Sequence, residues 1–489
     1  MSQLEWIKLL SDKRERQSSR KKEEEFVARN EFDADYDRIV GSSSVRRLQD
    51  KAQVFPLQEG DVARTRLTHS IEVSAMARSM GKAVGRELEK KHPEEFLPEY
   101  TDQLASLLQV AGLIHDLGNP PFGHYGETII QDWFSTWFEK TRLLSTHPMV
   151  LNKQEQNDFL YFDGNVQNIR IVAKLQIQND TYGANFTYAT LGTIMKYPWR
   201  SDQTPTGKRK FGYFKSEEEL ANDVRATLGL ADKVRHPATY LLEAADDIIY
   251  LCDDIEDGVK KCYINWPNEL CKIEKHLQDE STLKALLEQI RQKSIDARMS
   301  VQEQITAGVR NFRNIVQTYL FKRCVEEFVG HYESIMSNEP LPDYELLKCE
   351  DRLIQELKRV TQDNCFVCHE VLALELEGYK VISTLLETFV NSLVNHSGTE
   401  LMDTRTYCGK IFALISPNFV FRTLHDHATS AEIAAESKAQ TDCPTSYMIE
   451  KLNRLSRYDR LHLATDFISG MTDSYAVQVY QELMGIRHP

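Results

Sequence analysis

Residues 112–127, GLIHDLGNPPFGHYGE, bring together side chains that can do acid–base or metal chemistry. His115 and Asp116 stand where an apolar run stops, and His124 and Glu127 follow after two glycines and two prolines. Imidazoles and carboxylates bind divalent metals and transfer protons in active sites. The stretch is therefore either a helix end with a polar cap or the floor of a catalytic pocket.

Two other segments offer side chains of the same kind. His69 lies in RTRLTHSIEV, and Asp246 lies among apolar residues in YLLEAADDIIY. Burying a carboxylate is costly unless a cation accompanies it, so a metal or a basic partner best explains Asp246. A single histidine is more often structural than functional. If His69 and Asp246 converge with the His115–Asp116 pair, however, the four side chains could hold a divalent metal that polarises a phosphate.

Apolar residues at helical spacing predict the elements that position these groups. The first predicted helix has Thr68 as its cap and carries a long apolar face. That face consists of Val73, Met76, Met80 and Val84. The second predicted helix starts at Thr101 or Asp102 and ends at Gly118, which places His115 in its last turn.

A third predicted helix starts behind Pro237, and its polar side chains recur on one face. Those side chains are Asp246, Tyr250, Asp254 and Asp257. A further clear helical pattern covers residues 372–394. With only 22 Gly and 15 Pro among 489 residues, the composition favours helix over sheet. The predicted fold class is all-α.

Composition also restricts the classes of function. The formal net charge of −14 argues against a surface that binds nucleic acid throughout, because phosphate contacts need positive charge. Nine scattered cysteines in a long chain indicate a reducing, cytoplasmic setting. The first residues lack the apolar core of a signal peptide, and no apolar run approaches the roughly 18 residues that span a bilayer. We therefore expect no membrane partner.

Two charged stretches have local interpretations. Residues 11–25, SDKRERQSSRKKEEE, are typical of a solvated or disordered arm. In residues 204–219, TPTGKRKFGYFKSEEE, four basic residues interleave with Phe211, Tyr213 and Phe214. That loop could contact phosphates or stack on single-stranded nucleic acid, although an exposed loop without a ligand is the commoner outcome.

Two short patterns mimic known sites. The sequence CFVCH at 365–369 matches a haem-attachment motif, but it lies in a segment of helical character and no export signal precedes it. His425 and Asp426 form a second His-Asp pair without the proline-glycine exit that follows the first. We interpret His425 and Asp426 as solvent-facing polar residues.

The order of the motifs resembles a known family. His69, His115-Asp116 and Asp246 are similar to the H…HD…D signature of the HD-domain metallophosphohydrolases. The stretches VRRLQDKAQVFPL, HDLGNPPFGHYGE, FDGNVQNIR, IMKY and FISGMTDSYA resemble the bacterial dGTP triphosphohydrolases in order and spacing. The resemblance implies an HD-domain helical core with additional C-terminal helices.

The same resemblance implies a domain organisation. Residues 1–30 form a charged N-terminal arm, and residues 31–260 form the HD-domain catalytic core. Residues 261–489 form a helical region that completes the nucleotide pocket and makes oligomer contacts. Members of the family hydrolyse a deoxynucleoside triphosphate, above all dGTP, to the deoxynucleoside and inorganic triphosphate.

By this similarity a divalent metal, Mn²⁺ or Mg²⁺, is the cofactor. Its ligands are His69, His115, Asp116 and Asp246. His124 and Glu127 resemble the family's catalytic pair and, three positions apart on a helix, they share a face. The sequence leaves open whether His124 activates water or protonates the departing 5′-oxygen.

The resemblance extends to the nucleotide. Gln53 and Asp254 are similar to residues that meet the deoxyribose 3′-hydroxyl, and Tyr197 could form part of the sugar pocket. The side chains similar to phosphate contacts are Arg66, Lys196 and Tyr250. Cationic and hydroxyl donors suit a triphosphate group.

Two further assignments follow from the family motifs. Asn165 belongs to a motif near the site, and Glu375 or Glu377 in LELEGY is similar to a group that reads the guanine edge. The chain departs from the family at Ala52, where threonine is common, and at Tyr161-Phe162-Asp163, where His-Phe-Glu is common. These departures leave the metal ligands unchanged and put the base preference in question.

The predicted function is metal-dependent hydrolysis of dGTP, with other deoxynucleotides as further substrates. One alternative is an HD phosphohydrolase for another nucleotide, and another is a nucleic-acid-binding nucleotide sensor. A sensor needs no proton-transfer pair, so the presence of His124 and Glu127 favours an enzyme. The resemblance also implies a homo-oligomer such as a hexamer, and single-stranded DNA as a regulator.

Overall fold

A computed structural model of the chain describes most of its residues. The described ranges are 3–16, 29–55, 64–144, 151–176, 183–205, 207–277, 281–293, 295–341, 343–348, 351–425 and 444–486. Within these ranges the structure consists of 23 helices joined by turns and loops, without a β-strand. The all-α prediction is confirmed.

Eleven helices precede residue 261. The bounds of α1 to α11 are, in order, Trp6–Leu9, Glu31–Val40, Ser43–Arg47, Arg66–Lys91, Pro98–Ile114, Gly123–Leu144, Lys153–Leu160, Gly164–Arg170, Tyr188–Ile194, Glu218–Leu228 and Pro237–Lys260. Short 3₁₀ helices occur at Leu48–Asp50 and Lys215–Glu217, and a π-helical turn occurs at Ile171–Leu175.

Twelve helices follow. The bounds of α12 to α23 are, in order, Trp266–Leu277, Ser281–Gln292, Val301–Gly330, Tyr332–Ile335, Arg352–Asn364, His369–Val394, Gly398–Met402, Tyr407–Leu414, Pro417–Leu424, Pro444–Arg454, Arg457–Ser469 and Asp473–Leu483. In the described part of the chain, none of these helices or the earlier ones is long and apolar enough to cross a membrane.

Two helices start earlier in the structure than the sequence predicts. Helix α4 is capped by Thr65 rather than Thr68, because the Thr65 side chain accepts from the amide of Thr68 and the Thr68 side chain accepts from the amide of Thr65. Helix α5 begins at Pro98, since proline suits the first helical position. Helix α11 begins at Pro237, as predicted.

Two apolar clusters form the interior. The first lies around α4, α5, α11 and α14, and the second lies around α6, α17 and α22. The turn that follows His115 passes from one to the other, because Leu117 belongs to the first cluster and Phe122 to the second. The stretch that carries the candidate chemistry therefore lies where the two halves of the core meet.

The interpretation of residues 11–25 as a solvated arm agrees with the exposure of Asp12, Lys13, Glu15 and Arg16 but is wrong for Arg14. Trp6 and Leu9 are buried in the first cluster, and the indole N–H of Trp6 donates to the Tyr332 hydroxyl at 3.0 Å. Arg14 is buried and pairs with the fully buried carboxylate of Asp35. Apolar residues upstream of the charge run anchor this segment, and residues 17–28 lie outside the described ranges.

The two short patterns also have structural explanations. Residues 365–368 form the turn between α16 and α17 rather than part of a helix. His425 is buried, not solvent-facing, and its Nε2 lies 2.7 Å from the Tyr447 hydroxyl. Asp426 lies outside the described residues.

Candidate active site

The close packing of α4 against α5 brings the two candidate metal-binding histidines together. At Gly112, one turn before His115, an added Cβ would lie 2.8 Å from the Cα of Ser74 on α4. Only glycine allows this approach of the two backbones. As a result, the ring centroids of His69 and His115 are 5.4 Å apart although the residues belong to different helices.

Helix α5 ends at Ile114 rather than at Gly118, so His115 and Asp116 lie in the turn that follows it. Four side chains, from α4, α11 and this turn, converge here, and we call them the metal wall. Its members are His69, His115, Asp116 and Asp246. Ligand atoms of the first three all lie within 4.8 Å of one another. Oδ1 of Asp246 lies 3.0 Å from Nε2 of His69 and 3.5 Å from Nε2 of His115. The set thus brings two imidazoles and two carboxylates into reach of one ion.

His115 has the features of a metal ligand. Its Nδ1 donates to the carbonyl of Gly112 at 2.8 Å, which leaves Nε2 as the ring atom directed at the cluster. That Nε2 atom is buried and makes no hydrogen bond to any described residue. Burial lowers the pKa of His115, but the carboxylates of Asp116 and Asp246 outweigh it and raise the pKa to about 9. The same negative field would stabilise a dication, so the residues fit a divalent metal.

Asp116 is oriented from two sides. Its Oδ2 accepts from Arg66 Nη1 at 2.7 Å, and its Oδ1 accepts from the side-chain amide of Asn119 at 2.5 Å. Burial acts to raise the pKa of Asp116, but Arg66 and the two neighbouring histidines hold it well below its usual range. The carboxylate is therefore ionised and available as a ligand near neutral pH.

His124 and Glu127 lie in the first turn of α6, beside the metal wall. Nδ1 of His124 is 3.4 Å from Oε2 of Glu127, whose other oxygen accepts from the amide of Gly164 at 2.8 Å. The Glu127 side chain is buried, whereas 79% of the His124 side chain is exposed to the cleft and solvent. The hydrogen bond that the His124 ring donates to Glu127 raises the pKa of His124. A buried carboxylate thus orients an exposed imidazole.

The turn before this pair is held in a narrow set of conformations. Phe122 and Gly123 have φ angles of +62° and +60°, in the left-handed region. An added Cβ at Gly126 would lie 2.1 Å from the carbonyl oxygen of Pro121. Close backbone approach therefore explains the glycine between His124 and Glu127.

The metal wall borders a cleft that is large enough for a small-molecule ligand. The cleft measures about 470 Å³, which is within the range of small-molecule sites. The predicted site residues that line it are Gln53, Arg66, His69, Asp116, His124, Asp246, Tyr250, Asp254 and Glu375. Glu377, the alternative to Glu375, is exposed outside the lining. His115 and Glu127 lie behind the surface.

Two polar groups that line the cleft can form hydrogen bonds to a ligand. Oε1 of Gln53 is buried and accepts no hydrogen bond from the described residues. Burial and the nearby carboxylate of Asp257 raise the pKa of Asp254 to about 8. Near neutral pH Asp254 is therefore mostly protonated and can donate a hydrogen bond as well as accept one.

Three predicted substrate contacts do not line this cleft. Lys196 pairs with Glu243 at 3.2 Å, and Tyr197 lies beside it with the Lys196 ammonium 5.8 Å from the ring centroid. Burial lowers the pKa of Lys196, but Glu243 outweighs it and raises that pKa. Asn165 bonds to the carboxylate of Asp163, next to the Gly164 amide that holds Glu127.

The sequence interpretation missed an apolar side of the cleft. We call it the apolar wall, and its members are Phe366, Val371 and Leu374. They lie before and in the first turns of α17, which brings Glu375 to the same surface. Apolar residues three apart flanking LELEGY were the only sequence signal for this wall.

The basic and aromatic loop does not offer a stacking surface. Phe211, Tyr213 and Phe214 are buried, so they are core residues rather than platforms for bases. Lys210 pairs with Asp163, and its ammonium lies 3.8 Å from Glu127. The loop therefore supports the His124–Glu127 pair from behind.

Comparison with known proteins agrees with this geometry. The profile of the HD domain matches residues 66–156, which include His69 and the His115–Asp116 pair. Fold and site thus define an HD-domain phosphohydrolase. A deoxyguanosinetriphosphate triphosphohydrolase-like protein of Listeria innocua is 37% identical over 495 residues, covering 99% of this chain and 100% of that protein.

Two relatives of lower identity also match over most of their length. A deoxyguanosinetriphosphate triphosphohydrolase-like protein of Synechocystis is 31% identical over 99% of this chain and 100% of its own length. A deoxyguanosinetriphosphate triphosphohydrolase of Salmonella paratyphi A is 33% identical over 93% of this chain and 94% of its own length. The chain belongs to the deoxyguanosinetriphosphate triphosphohydrolase family.

Proposed function

We propose that the protein hydrolyses deoxynucleoside triphosphates, above all dGTP, to the deoxynucleoside and inorganic triphosphate. One observation carries the proposal: the metal wall and the His124–Glu127 pair border the same cleft of 470 Å³. A cation site beside a proton-transfer pair suits hydrolysis of a phosphoester. The names of the relatives supply the substrate class.

The four members of the metal wall would hold the cation. When bound, it would supply Lewis-acid stabilisation of the negative charge that develops on the phosphate. Two imidazoles and two carboxylates form a mixed nitrogen and oxygen donor set, whereas Mg²⁺ favours oxygen ligands alone. We therefore infer that Mn²⁺ suits the site better than Mg²⁺.

We infer that His124 is the general acid. A water oxygen forms a bond to the α-phosphorus while the bond from phosphorus to the 5′-oxygen breaks, and that oxygen needs a proton. Glu127 raises the pKa of His124, which increases the fraction of imidazolium at a given pH, and the imidazolium can donate this proton. The attacking water releases one proton to the solvent, His124 takes a proton back from the solvent, and the products are the deoxynucleoside and triphosphate.

The rest of the cleft suits the nucleotide. Arg66 and Tyr250 present a cation and a hydroxyl to the phosphates, next to the metal wall. Gln53 and Asp254 face the sugar, where the unpartnered Oε1 of Gln53 can accept from the 3′-hydroxyl. Lys196 can join the phosphates only if it leaves its pair with Glu243.

The base would lie against the apolar wall. Phe366 and Leu374 offer apolar contact, and Glu375 offers a carboxylate at the same rim. A carboxylate accepts hydrogen bonds from the N1–H and exocyclic amine of guanine, which adenine cannot match. This arrangement supports a preference for dGTP.

We also infer a homo-oligomer, and one surface feature supports this inference. Leu372, Leu376 and Tyr379 are exposed on α17 close to the cleft, with 46%, 73% and 54% of their surface accessible. Exposed apolar side chains in a row are typical of contact surfaces. Single-stranded DNA stays a proposal from the resemblance, because the aromatic residues of the 204–219 loop are buried. Light scattering with and without an oligonucleotide tests both.

A panel of eight ribo- and deoxynucleoside triphosphates tests the reaction. Each is incubated with the protein and Mn²⁺ or Mg²⁺, and inorganic triphosphate is measured by ion chromatography. We expect release from dGTP first, from other deoxynucleotides more slowly, and little from ribonucleotides. Release of monophosphate or pyrophosphate would instead support the alternative of an HD phosphohydrolase with another reaction.

The His124→Ala variant tests the proton donor. Turnover should fall roughly 100- to 10,000-fold, the usual contribution of general acid–base catalysis, with metal content unchanged. His331→Ala is the matched control, because His331 is half-exposed and does not line the cleft. Unchanged turnover in His124→Ala at full metal occupancy would contradict the assignment and favour the nucleotide sensor.

A further inference from the structure

The last helix reaches into the active site through one carboxylate. Asp473, the first residue of α23, is buried, and its Oδ1 accepts from the amide of Phe122 at 3.0 Å. Its Oδ2 accepts from the amide of Ala52 at 2.9 Å. One side chain therefore joins two backbone segments that are distant in sequence.

Neighbouring contacts fasten the same two segments. The buried ammonium of Lys51 donates to the carbonyl oxygens of Asn119 and Ser469, the second at 3.3 Å. The hydroxyl of Ser474 donates to Asp50 at 2.7 Å. Burial lowers the pKa of Lys51 to about 7, and the carboxylate of Asp473 opposes that change. Asp473 thus belongs to a buried polar cluster.

Both bridged segments lead directly into the cleft. Ala52 precedes Gln53, which lines the proposed sugar site. Phe122 precedes Gly123 and His124, which line the side of the proton donor. An error in the relative placement of the two segments would change the distance between the sugar and the proton donor.

The conformation of Phe122 explains why a bridge is needed there. Its φ of +62° is unfavourable for a bulky side chain and persists only where the surroundings enforce it. Its ring packs against Gly378 of α17, where an added Cβ would lie 2.8 Å from the ring. Ring packing holds one side of this residue, and the hydrogen bond to Asp473 holds its backbone.

We propose that Asp473 is a positioning residue for the reaction, because its carboxylate sets the placement of the Gln53 segment relative to the His124 segment. The inference rests on the proposed nucleotide hydrolysis. Asp473 does not line the cleft and would act only through Ala52 and Phe122.

The Asp473→Asn variant tests this role. An amide side chain has one acceptor oxygen, so it can keep one of the two backbone bonds and must face the other N–H with its own NH₂ group. We expect kcat/KM for the best nucleotide to fall roughly 10- to 100-fold, as for a misplacement of about 1 Å, with kcat and KM both affected. The affinity for Mn²⁺ should stay within about twofold, since the metal wall lies on other elements.

Asp459→Asn is the matched control. Asp459 is partly exposed in the first turn of α22, and its carboxylate also accepts from a backbone amide, that of Ser456 at 3.1 Å. The same chemical change there should leave both kcat and KM unaltered. A folded Asp473→Asn protein with wild-type kcat/KM would overturn the proposal, and so would an equal loss in both variants or a loss that follows falling Mn²⁺ affinity.

A second measurement on the wild-type protein covers the case in which Asp473→Asn does not fold. Hydrogen exchange should show the amides of Ala52 and Phe122 protected together with α23, and rapid exchange at both would overturn the proposal. If the wild-type protein hydrolyses no nucleotide, the proposed function fails by itself. In that case the exchange data and the ratio of dGTP affinities between Asp473→Asn and Asp459→Asn still decide the positioning role.

Discussion

The metal wall and the apolar wall belong to one cleft but differ in origin and enclosure. The metal wall is charged and lies on α4, α11 and the turn that follows α5, and these helices pack around the first apolar cluster. The apolar wall comes from the α16–α17 turn and the start of α17, and its Phe366 is 41% exposed. Side chains on tightly packed helices hold geometry better than side chains at a loop end. Under the proposed function, chemistry and base selection would therefore depend on separate parts of the chain.

The largest expected effect comes from breaking the metal wall. Asp116→Asn removes an ionised ligand and its pairing with Arg66. We expect metal affinity and turnover both to fall by more than about 100-fold, the upper range for a residue that only orients a ligand. Metal content after dialysis and triphosphate release provide the two measurements. Asp102→Asn, an exposed carboxylate on α5, is the control, and equal behaviour of the two variants would contradict the assignment.

The second-largest effect is expected at the proposed proton donor, His124, which lies beside the metal wall. Glu127→Gln removes the group that raises the pKa of His124. Because a general acid is active in its protonated form, kcat/KM falls as pH rises through the pKa of His124. Without Glu127 that pKa is lower, so the falling limb should move to lower pH, and kcat should fall about 100-fold, the lower end for acid–base catalysis. A pH–rate profile measures both, and a limb that stays in place would assign it to another group.

A smaller change tests the turn that joins the two apolar clusters. In Gly126→Ala the added Cβ meets the carbonyl oxygen of Pro121, so the turn must shift together with His124. We expect kcat/KM to fall roughly tenfold, because the shift stays below the 1 Å that costs about 100-fold. Gly41→Ala is the control, since nothing lies within 4 Å of a Cβ there. If both variants turn over dGTP alike, the turn tolerates the shift.

The smallest effect should come from the apolar wall. Leu374→Ala removes apolar contact with the base, and we expect KM for dGTP to rise by less than about tenfold with kcat and metal affinity unchanged. Leu414→Ala, on α19 and 41% exposed outside the cleft lining, is the control. The nucleotide panel measures the effect, and a loss of kcat as large as that of Asp116→Asn would erase the distinction between the two walls.

The sequence by itself determined what lies within a few residues along the chain. Adjacent His115 and Asp116, His124 and Glu127 three apart, and the polar face of α11 follow from the geometry of a single helix. Helical periodicity likewise predicted the all-α fold and the position of α11, because apolar spacing reports directly on the buried face.

Only the tertiary structure decided which distant segments meet. No local spacing shows that Asp473 bridges Ala52 and Phe122, or that Phe366 lines the same cleft as the metal wall. Helical periodicity also did not predict the burial of Phe211. This aromatic residue of an irregular basic loop packs into the second apolar cluster. Long-range contacts arise from the packing of whole elements, and the sequence of one segment carries no record of its partner.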